Sequence, residues 1–349
     1  MPQHDDGHNV HRRTLRHRPV HPAPGTTAMP PPFAPLRVGY VKYLNTLPLV
    51  HGLDACRDAE PVPAAPADLG AMLADGRVDV ALVSLVDAAV QSAAGSPLTL
   101  LPAGCIACDG PTLTVRVFSR VPIDRVRRLH ADTESHTSVA LARLLLGPAG
   151  PGAHAGHAPW AVPPVSPEIV PYTHPGDSDL PDEPPAEAPA GPPAGTAAKA
   201  PAELPETLLL IGDKAVSAAP PPSTHPHTLD LGQAWHERTG LPFVYALWMC
   251  RAADAGSPRT AAIVELLDRQ RRRNLHRLDW IIAHAAPQRR WPPDLARTYL
   301  TQLLRFELTP RARRAIDLFF DLAARAGVLP SYTPAWHTPP HTPAHAHPD

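Results

Sequence analysis

Leu36-Arg37-Val38-Gly39-Tyr40-Val41 and Val78-Asp79-Val80-Ala81-Leu82-Val83-Ser84 are two short apolar runs, and what lies between them decides the fold. Each has the length and composition of a buried strand. Between them, Lys42-Tyr43-Leu44-Asn45-Thr46-Leu47-Pro48 reads as a turn into a helix. Thr46 is the expected N-cap, and Pro48 falls in the first turn, where its missing N–H is no loss. A second helix is expected from about Pro66 to Asp75, stopped by Gly76. Strand, helix, helix and strand, with a further helix after Ser84, predict an α/β protein whose parallel sheet is covered by helices.

Outward from this unit the same signals recur. A strand is expected near Thr112–Phe118. Ser135-His136-Thr137-Ser138 opens a helix whose Leu141, Leu144 and Leu145 share a face. Glu168–Tyr172 reads as a brief strand, and Leu208-Leu209-Leu210-Ile211-Gly212-Asp213 as a buried strand ending in a glycine and an acid. Asp230-Leu231-Gly232 leads to another apolar strand at Gly240–Trp248. Ser257-Pro258 starts one long helix, with Ile263, Leu266, Leu267, Leu275, Leu278, Ile281 and Ile282 along one face. Thr309-Pro310 opens the last helix, which places Ile316, Phe319, Phe320 and Ala323 inward and stops at Gly327.

The length of 349 residues suits two domains, but composition says that part of the chain does not fold. There are 48 prolines and 20 histidines against six each of Phe, Tyr and Trp. Pro-rich polar stretches cannot bury enough apolar surface to offset their ordering entropy. Disorder is therefore expected for tails at 1–35 and 331–349 and for insertions at about 147–163 and 175–205.

A formal net charge of -1 argues against nucleic-acid or membrane-surface partners, which require a strongly basic face. The N-terminal segment lacks the continuous apolar region of a secretory signal, and no run of about 18 apolar residues occurs. Four cysteines are too few for a disulfide framework, so the expected setting is cytoplasmic and reducing.

The chemistry-bearing positions are strand ends that open helices: Asn45-Thr46, Ser84, the Ser135–Ser138 loop and Gly212-Asp213. Ligands of open α/β sheets bind outside the carboxyl ends of strands, where helix N-termini offer unpaired N–H groups to anions. Any one of Thr46, Ser135 or Thr137 is equally well explained as a helix cap; their recurrence at strand ends points to an anion pocket. Cys105-Ile106-Ala107-Cys108 has CxxC spacing but no second pair for zinc, and no helix follows it, so it reads as two small semi-buried residues. The histidines of the C-terminal tail, His337, His341, His345 and His347, have no fixed geometry for a metal. Arg269, Arg271, Arg272, Arg273 and Arg277 read as a solvated helix face. No phosphate-binding or nucleophile-elbow motif is present. The residues themselves thus lead to a two-lobed pocket for a small anionic ligand, with no cofactor and no metal expected.

Five blocks, in order along the chain, resemble the chorismate dehydratases of the futalosine route to menaquinone. They are Val38–Leu49, Val78–Ser84, Ser135–Leu141, Leu210–Ala215, and Asp230–Gly232 together with Gly240–Val244, within a match of about residues 36–330. The resemblance implies a type II periplasmic-binding-protein architecture: two α/β lobes joined by two crossover strands, near 111–116 and 244–249, with the ligand cleft between them. Lobe 1 would hold 36–113 and 247–330, and lobe 2 would hold 114–246. The implied reaction removes water from chorismate to give 3-[(1-carboxyvinyl)oxy]benzoate. Asn45 is then the expected catalytic residue. Ser84, Thr137, Ser138 and Thr46 are expected to contact substrate, and Gly212-Asp213 to shape the wall of the second lobe. Two other readings share this fold, a non-catalytic solute-binding protein and the sister enzyme that makes 1,4-dihydroxy-6-naphthoate; the Tyr43–Pro48 block fits the dehydratase better. A ligand-sensing regulator would need a helix-turn-helix segment, which neither tail supplies.

Overall fold

The computed structural model describes residues 34–132, 134–147, 165–173 and 204–338. Most of the expected tails and insertions lie outside these residues, as do His341, His345 and His347.

Eleven strands among the described residues form two sheets: β1 (Leu36–Tyr40), β2 (Ala59–Pro63), β3 (Val80–Ser84), β4 (Leu98–Cys108), β5 (Val115–Ser119), β6 (Arg128–Asp132), β7 (Glu168–Tyr172), β8 (Thr207–Ile211), β9 (His227–Asp230), β10 (Phe243–Arg251) and β11 (Leu304–Arg305). The first sheet has the order β11-β4-β10-β3-β1-β2, and the second β7-β6-β8-β5-β9. In the first, β1 runs parallel to both β2 and β3, while β10 is antiparallel to β3 and β4. In the second, β6 and β8 are parallel, and β5 is antiparallel to β8 and β9.

The chain passes from the first sheet to the second through 109–114 and returns through the helix Leu231–Thr239. Residues 244–249, expected as the second crossover, instead lie within the first sheet, paired with β4 from Phe243 and with β3 from Ala246, so the return is complete by Phe243. Asp230 ties the two passages together. Its carboxylate accepts from Gly232 N (3.0 Å) and Gln233 N (3.1 Å), capping the returning helix, and from Thr112 N and Leu113 N (2.7 Å) in the outgoing link. One acid thus satisfies four backbone donors that would otherwise be orphaned.

Several local expectations need correction. Thr46 caps nothing: its own backbone is helical, and its buried hydroxyl lies 2.7 Å from Val41 O and 2.8 Å from Tyr43 O, where it clamps the turn. The long helix after Ser257 is two helices, Pro258–His276 and Leu278–Gln288, broken at Arg277, whose backbone leaves the helical region. The strand expected from Thr112 begins at Val115. Residues 331–338 are not part of a disordered tail. His337 N and Ala335 O bond to both polar groups of Leu100, and Arg313 sits 4.2 Å from the Trp336 ring centre. His337 is buried there, with Nδ1 2.9 Å from Ala255 O.

Ser135, Ser257 and Thr309 do cap their helices, each accepting from the backbone N–H three residues on. Cys105 and Cys108 lie fully buried in β4, and burial pushes each thiol up to about 12. They are unreactive packing residues at neutral pH. No described helix is long and apolar enough to cross a membrane.

Candidate functional site

The C-terminal ends of β1 and β3 lie side by side, since Val38 pairs with Val80 and Gly39 with Ala81. The turn after β1 carries Tyr43, Leu44 and Asn45; β3 ends on Ser84. From the second sheet, β8 ends at Ile211 and hands over to Gly212, Asp213 and Lys214, while β6 ends at Asp132 beside Glu134.

These two groups of residues meet. Asp213, only 8% exposed, places both carboxylate oxygens 3.4 Å from Leu44 N, the residue next to Asn45. Burial pushes its carboxyl up to about 6, and Arg289 nearby tempers the rise. Tyr43 donates its hydroxyl to Glu134, whose carboxylate also lies 2.9 Å from Lys214 Nζ; the same ammonium is 2.7 Å from Asp132. Burial raises the Tyr43 phenol far above its ordinary value, and the Glu134 carboxylate adds to the rise, so the ring stays neutral. Burial alone would lower Lys214, but Asp132 and Glu134 outweigh it and carry the ammonium up to about 12.

Gly212 makes this approach possible. Its φ is +57°, and a Cβ there would stand 3.0 Å from Tyr43 Cε2. Only glycine satisfies both the left-handed backbone and the close ring.

Thr137 and Ser84 belong to a neighbouring part of the same edge. Thr137 is buried, and its Oγ1 accepts from Val86 N at 3.3 Å, two residues beyond Ser84. Ser84 is half-buried, and no hydrogen bond holds its hydroxyl among the described residues. Beside them His136 Nδ1 sits 2.7 Å from Asp87 Oδ1, a second contact between elements of the two sheets. Ser138 is spent locally, with its hydroxyl and backbone N–H both on the Ser135 cap. Of the residues expected at the site, Gly212 and Asp213 thus touch the loop that carries Asn45, and Thr137 touches the turn that follows Ser84. The hydroxyls of Thr46 and Ser138 are occupied in holding their own loops.

Sequence reasoning missed the contribution of the C-terminal segment. Tyr299, at the start of a π-helical turn, is buried with its hydroxyl 2.7 Å from Thr114 Oγ1, in the link between the sheets. It also missed Tyr43, Glu134 and Lys214 as partners across the cleft. Tyr43 and Lys214 stood inside quoted blocks, but their mutual geometry depends on contacts about 80 to 90 residues apart. No group of three or more His, Cys, Asp or Glu able to hold a metal occurs among the described residues. A groove of about 820 Å3 along β11 and the last helix, lined by Leu275, Leu304 and Arg311 among others, includes none of the site residues.

Comparison with known proteins agrees with this architecture. The two-sheet fold is that of periplasmic binding proteins. A solved protein of Archaeoglobus fulgidus superposes with a TM-score of 0.57 at 14% identity, over 85% of this chain and 99% of that one. The alkanesulfonate-binding protein SsuA of Xanthomonas axonopodis pv. citri, bound to MOPS, gives 0.55 at 16% identity, over 85% and 94%. A chorismate dehydratase of Thermus thermophilus is 29% identical over 301 residues, which is 82% of this chain and 94% of the relative. The sequence pattern of the family described as menaquinone biosynthesis matches residues 36–158 and 192–325, and the chain belongs to that family.

Proposed function

We propose that this protein is a chorismate dehydratase, a lyase that eliminates water from chorismate to give 3-[(1-carboxyvinyl)oxy]benzoate on the futalosine route to menaquinone. The observation that carries the reading is the contact of Asp213 with the backbone N–H of Leu44, the neighbour of Asn45: a buried carboxyl raised to about 6 closes on the loop that carries the amide. The likeness to the Thermus thermophilus dehydratase over most of both chains supports it.

The chemistry asks little of the protein beyond position. The ring proton on the carbon bearing the enolpyruvyl ether is lost, its electron pair becomes ring π-density, and the C–O bond to the neighbouring hydroxyl breaks. Aromatisation drives the reaction, so the protein lowers a barrier by fixing geometry and steering away from rearrangement. In this scheme the substrate's own side-chain carboxylate takes the ring proton. Asn45 hydrogen-bonds the departing hydroxyl, Ser84 and the donors around Thr137 hold carboxylate oxygens, and Asp213 supplies the proton that lets the hydroxyl leave as water. A carboxyl near 6 can give and regain a proton at neutral pH. No cofactor enters the scheme.

Mixing purified protein with chorismate tests it. The expected result is an aromatic product, followed by absorbance and identified by mass. Binding of chorismate without turnover would favour a solute-binding role; turnover only of the sister enzyme's substrate would favour 1,4-dihydroxy-6-naphthoate synthesis.

A further inference from the structure

Asn45 sits in a 3-10 turn, Leu44–Thr46, at the end of β1. Thr46 closes the turn from within, its backbone N–H 3.2 Å and its hydroxyl 2.8 Å from Tyr43 O. Three further contacts reach the turn from the second sheet. Gly212 backs against the Tyr43 ring, Asp213 takes the Leu44 N–H, and Glu134 accepts the Tyr43 hydroxyl. All three fall on the two residues that lead into Asn45.

Glu134 is itself held by a closed ring of bonds. Its backbone N–H donates to Asp132 Oδ1 at 3.0 Å, Asp132 Oδ2 lies 2.7 Å from Lys214 Nζ, and that ammonium returns to Glu134 Oε2 at 2.9 Å. The same Oε2 accepts from Tyr43. Asp132 ends β6 and Lys214 follows β8, its parallel neighbour, so the ring is fixed to the frame of the second sheet. A long side chain normally gives up rotamer freedom when it binds a partner. Here Lys214 has already fixed the carboxylate that Tyr43 meets. The Asp132 and Lys214 side chains are 2% and 5% exposed, whereas Glu134 is 29% exposed and stands between that buried pair and the Asn45 turn.

We propose that Glu134 is a positioning residue: by accepting the Tyr43 hydroxyl it holds the turn that carries Asn45, so that the second sheet sets the catalytic geometry of a loop belonging to the first. The kinetic consequence rests on the dehydratase reading; the anchoring does not. Glu134 acts through Tyr43 and the backbone, and touches no reacting atom.

Tyr43→Phe keeps the ring against Gly212 and deletes only the donor. The expected loss in kcat for chorismate is roughly tenfold to a hundredfold, the scale of a misplaced catalytic group, with KM changed much less. Glu134→Ala should lose as much, and the double variant no more than either, because both remove one bond. Glu134→Gln keeps an acceptor oxygen for the phenol and should keep most of kcat, giving up only the charge assistance. In both Glu134 variants Lys214 retains Asp132. Full kcat in Tyr43→Phe, losses that multiply in the double variant, or a Glu134→Gln as damaged as Glu134→Ala overturns the proposal; the last would mean that the carboxylate's charge, rather than its hold on Tyr43, serves the reaction.

Amide hydrogen exchange supplies an arm that needs no turnover. The backbone N–H groups of Leu44 and Thr46 should exchange faster in Tyr43→Phe and Glu134→Ala than in the wild type, and near the wild-type rate in Glu134→Gln, while the amides of β3 keep their rates in all three. Unchanged exchange in the turn, or an equal rise in β3, overturns the anchoring, since the second result marks general destabilisation. Wild-type protein that leaves chorismate intact while exchange follows the expected pattern would overturn the dehydratase reading and uphold the hold of Glu134 on the turn.

Discussion

His136 and Asp87 lie 49 residues apart, on elements packed against different sheets, yet imidazole Nδ1 and carboxylate Oδ1 meet at 2.7 Å. Asp87 is buried, and room for it is made by Gly70, where a Cβ would stand 2.6 Å from Asp87 Oδ2. Burial raises the carboxyl, and His136 pulls it back down. For the imidazole the hydrogen bond to Asp87 dominates, and its pKa rises above 6.5. A histidine raised in the folded state contributes stability that is complete below 6.5 and fades as pH climbs through the raised value. His136→Ala should therefore cost more stability at pH 6 than at pH 8.5. The imidazole is 43% exposed, so solvent screening holds the pH-dependent part to about 0.5 kcal/mol. Thermal melts of both proteins across that range would show the gap closing; a constant gap would mean that the pair is not ionic.

Asp213 predicts a trade between stability and turnover. Its carboxyl is raised from 3.8 to about 6 by burial. A raised carboxyl contributes fully below its unfolded value and loses that contribution as pH rises through 6, so at pH 8 the charged form is a liability of about 3 kcal/mol. Asp213→Asn removes the charge and keeps an oxygen able to accept from Leu44 N. The variant should be more stable than the wild type at pH 8, by up to about 3 kcal/mol, with the advantage shrinking toward pH 4. If Asp213 handles the leaving hydroxyl, the same variant loses turnover roughly a hundredfold or more. Urea denaturation at the two pH values, alongside the chorismate assay, separates the effects. A variant that is both less stable at pH 8 and fully active would contradict both roles.

Those two residues mark the boundary of what could be read from the chain. Asp213 was visible because a strand ending in Gly-Asp before a helix is a local pattern, whereas its raised carboxyl comes from burial in the folded chain, which Arg289 and the Leu44 N–H only temper. β3, β8 and the caps at Ser135, Ser257 and Thr309 were legible for the same local reason. β4 was not, although it is the longest strand. Pro102 and Gly104, with φ of +119°, interrupt its apolar run, and they fall in the bulge between Leu100 and Cys105, where pairing with β10 shifts register. Proline and glycine inside a run read as a break until the partner strand shows a bulge. β2 was hidden likewise by Pro61 and Pro63, tolerated because it is an edge strand. Tyr299 could not have been tied to Thr114 by any periodicity, because the link is purely tertiary and spans 185 residues.

Gly232 should tolerate no side chain at all. A Cβ there would stand 2.0 Å from Thr112 Oγ1, 2.5 Å from Cys108 Sγ and 2.8 Å from Gly110 O. These atoms belong to the end of β4 and the link into the second sheet, and none is the far end of a flexible side chain. Gly232→Ala must push the returning helix off the outgoing link and loosen the Asp230 clamp. The expected cost is about 3 kcal/mol, at the upper end for overpacking. Gly240→Ala is the control: nothing lies within 4 Å of its Cβ, and only its φ of +65° opposes the change, at about 1 kcal/mol. Denaturant midpoints for the two variants should differ accordingly; equal midpoints would mean that the link is free to shift.

Lys214 is the cation on which two carboxylates depend. Asp132 is 2% exposed, and its charge is compensated by Lys214 at 2.7 Å; Glu134 shares the same ammonium and passes it on to Tyr43. Removing one member of a buried pair costs more than the pair is worth, since the orphaned charge stays behind. Lys214→Met should therefore destabilise the protein by about 3 to 5 kcal/mol. Adding Asp132→Asn to the same chain should recover a large part of that loss, although it deletes a second polar partner, because the fully buried charge is then gone and only the partly exposed Glu134 is left without the ammonium. Urea unfolding of the single and double variants decides the point. Recovery assigns the cost to the stranded carboxylate; losses that simply add would place it in packing around the lysine stem, and Glu134 would then hold Tyr43 without the ammonium's help.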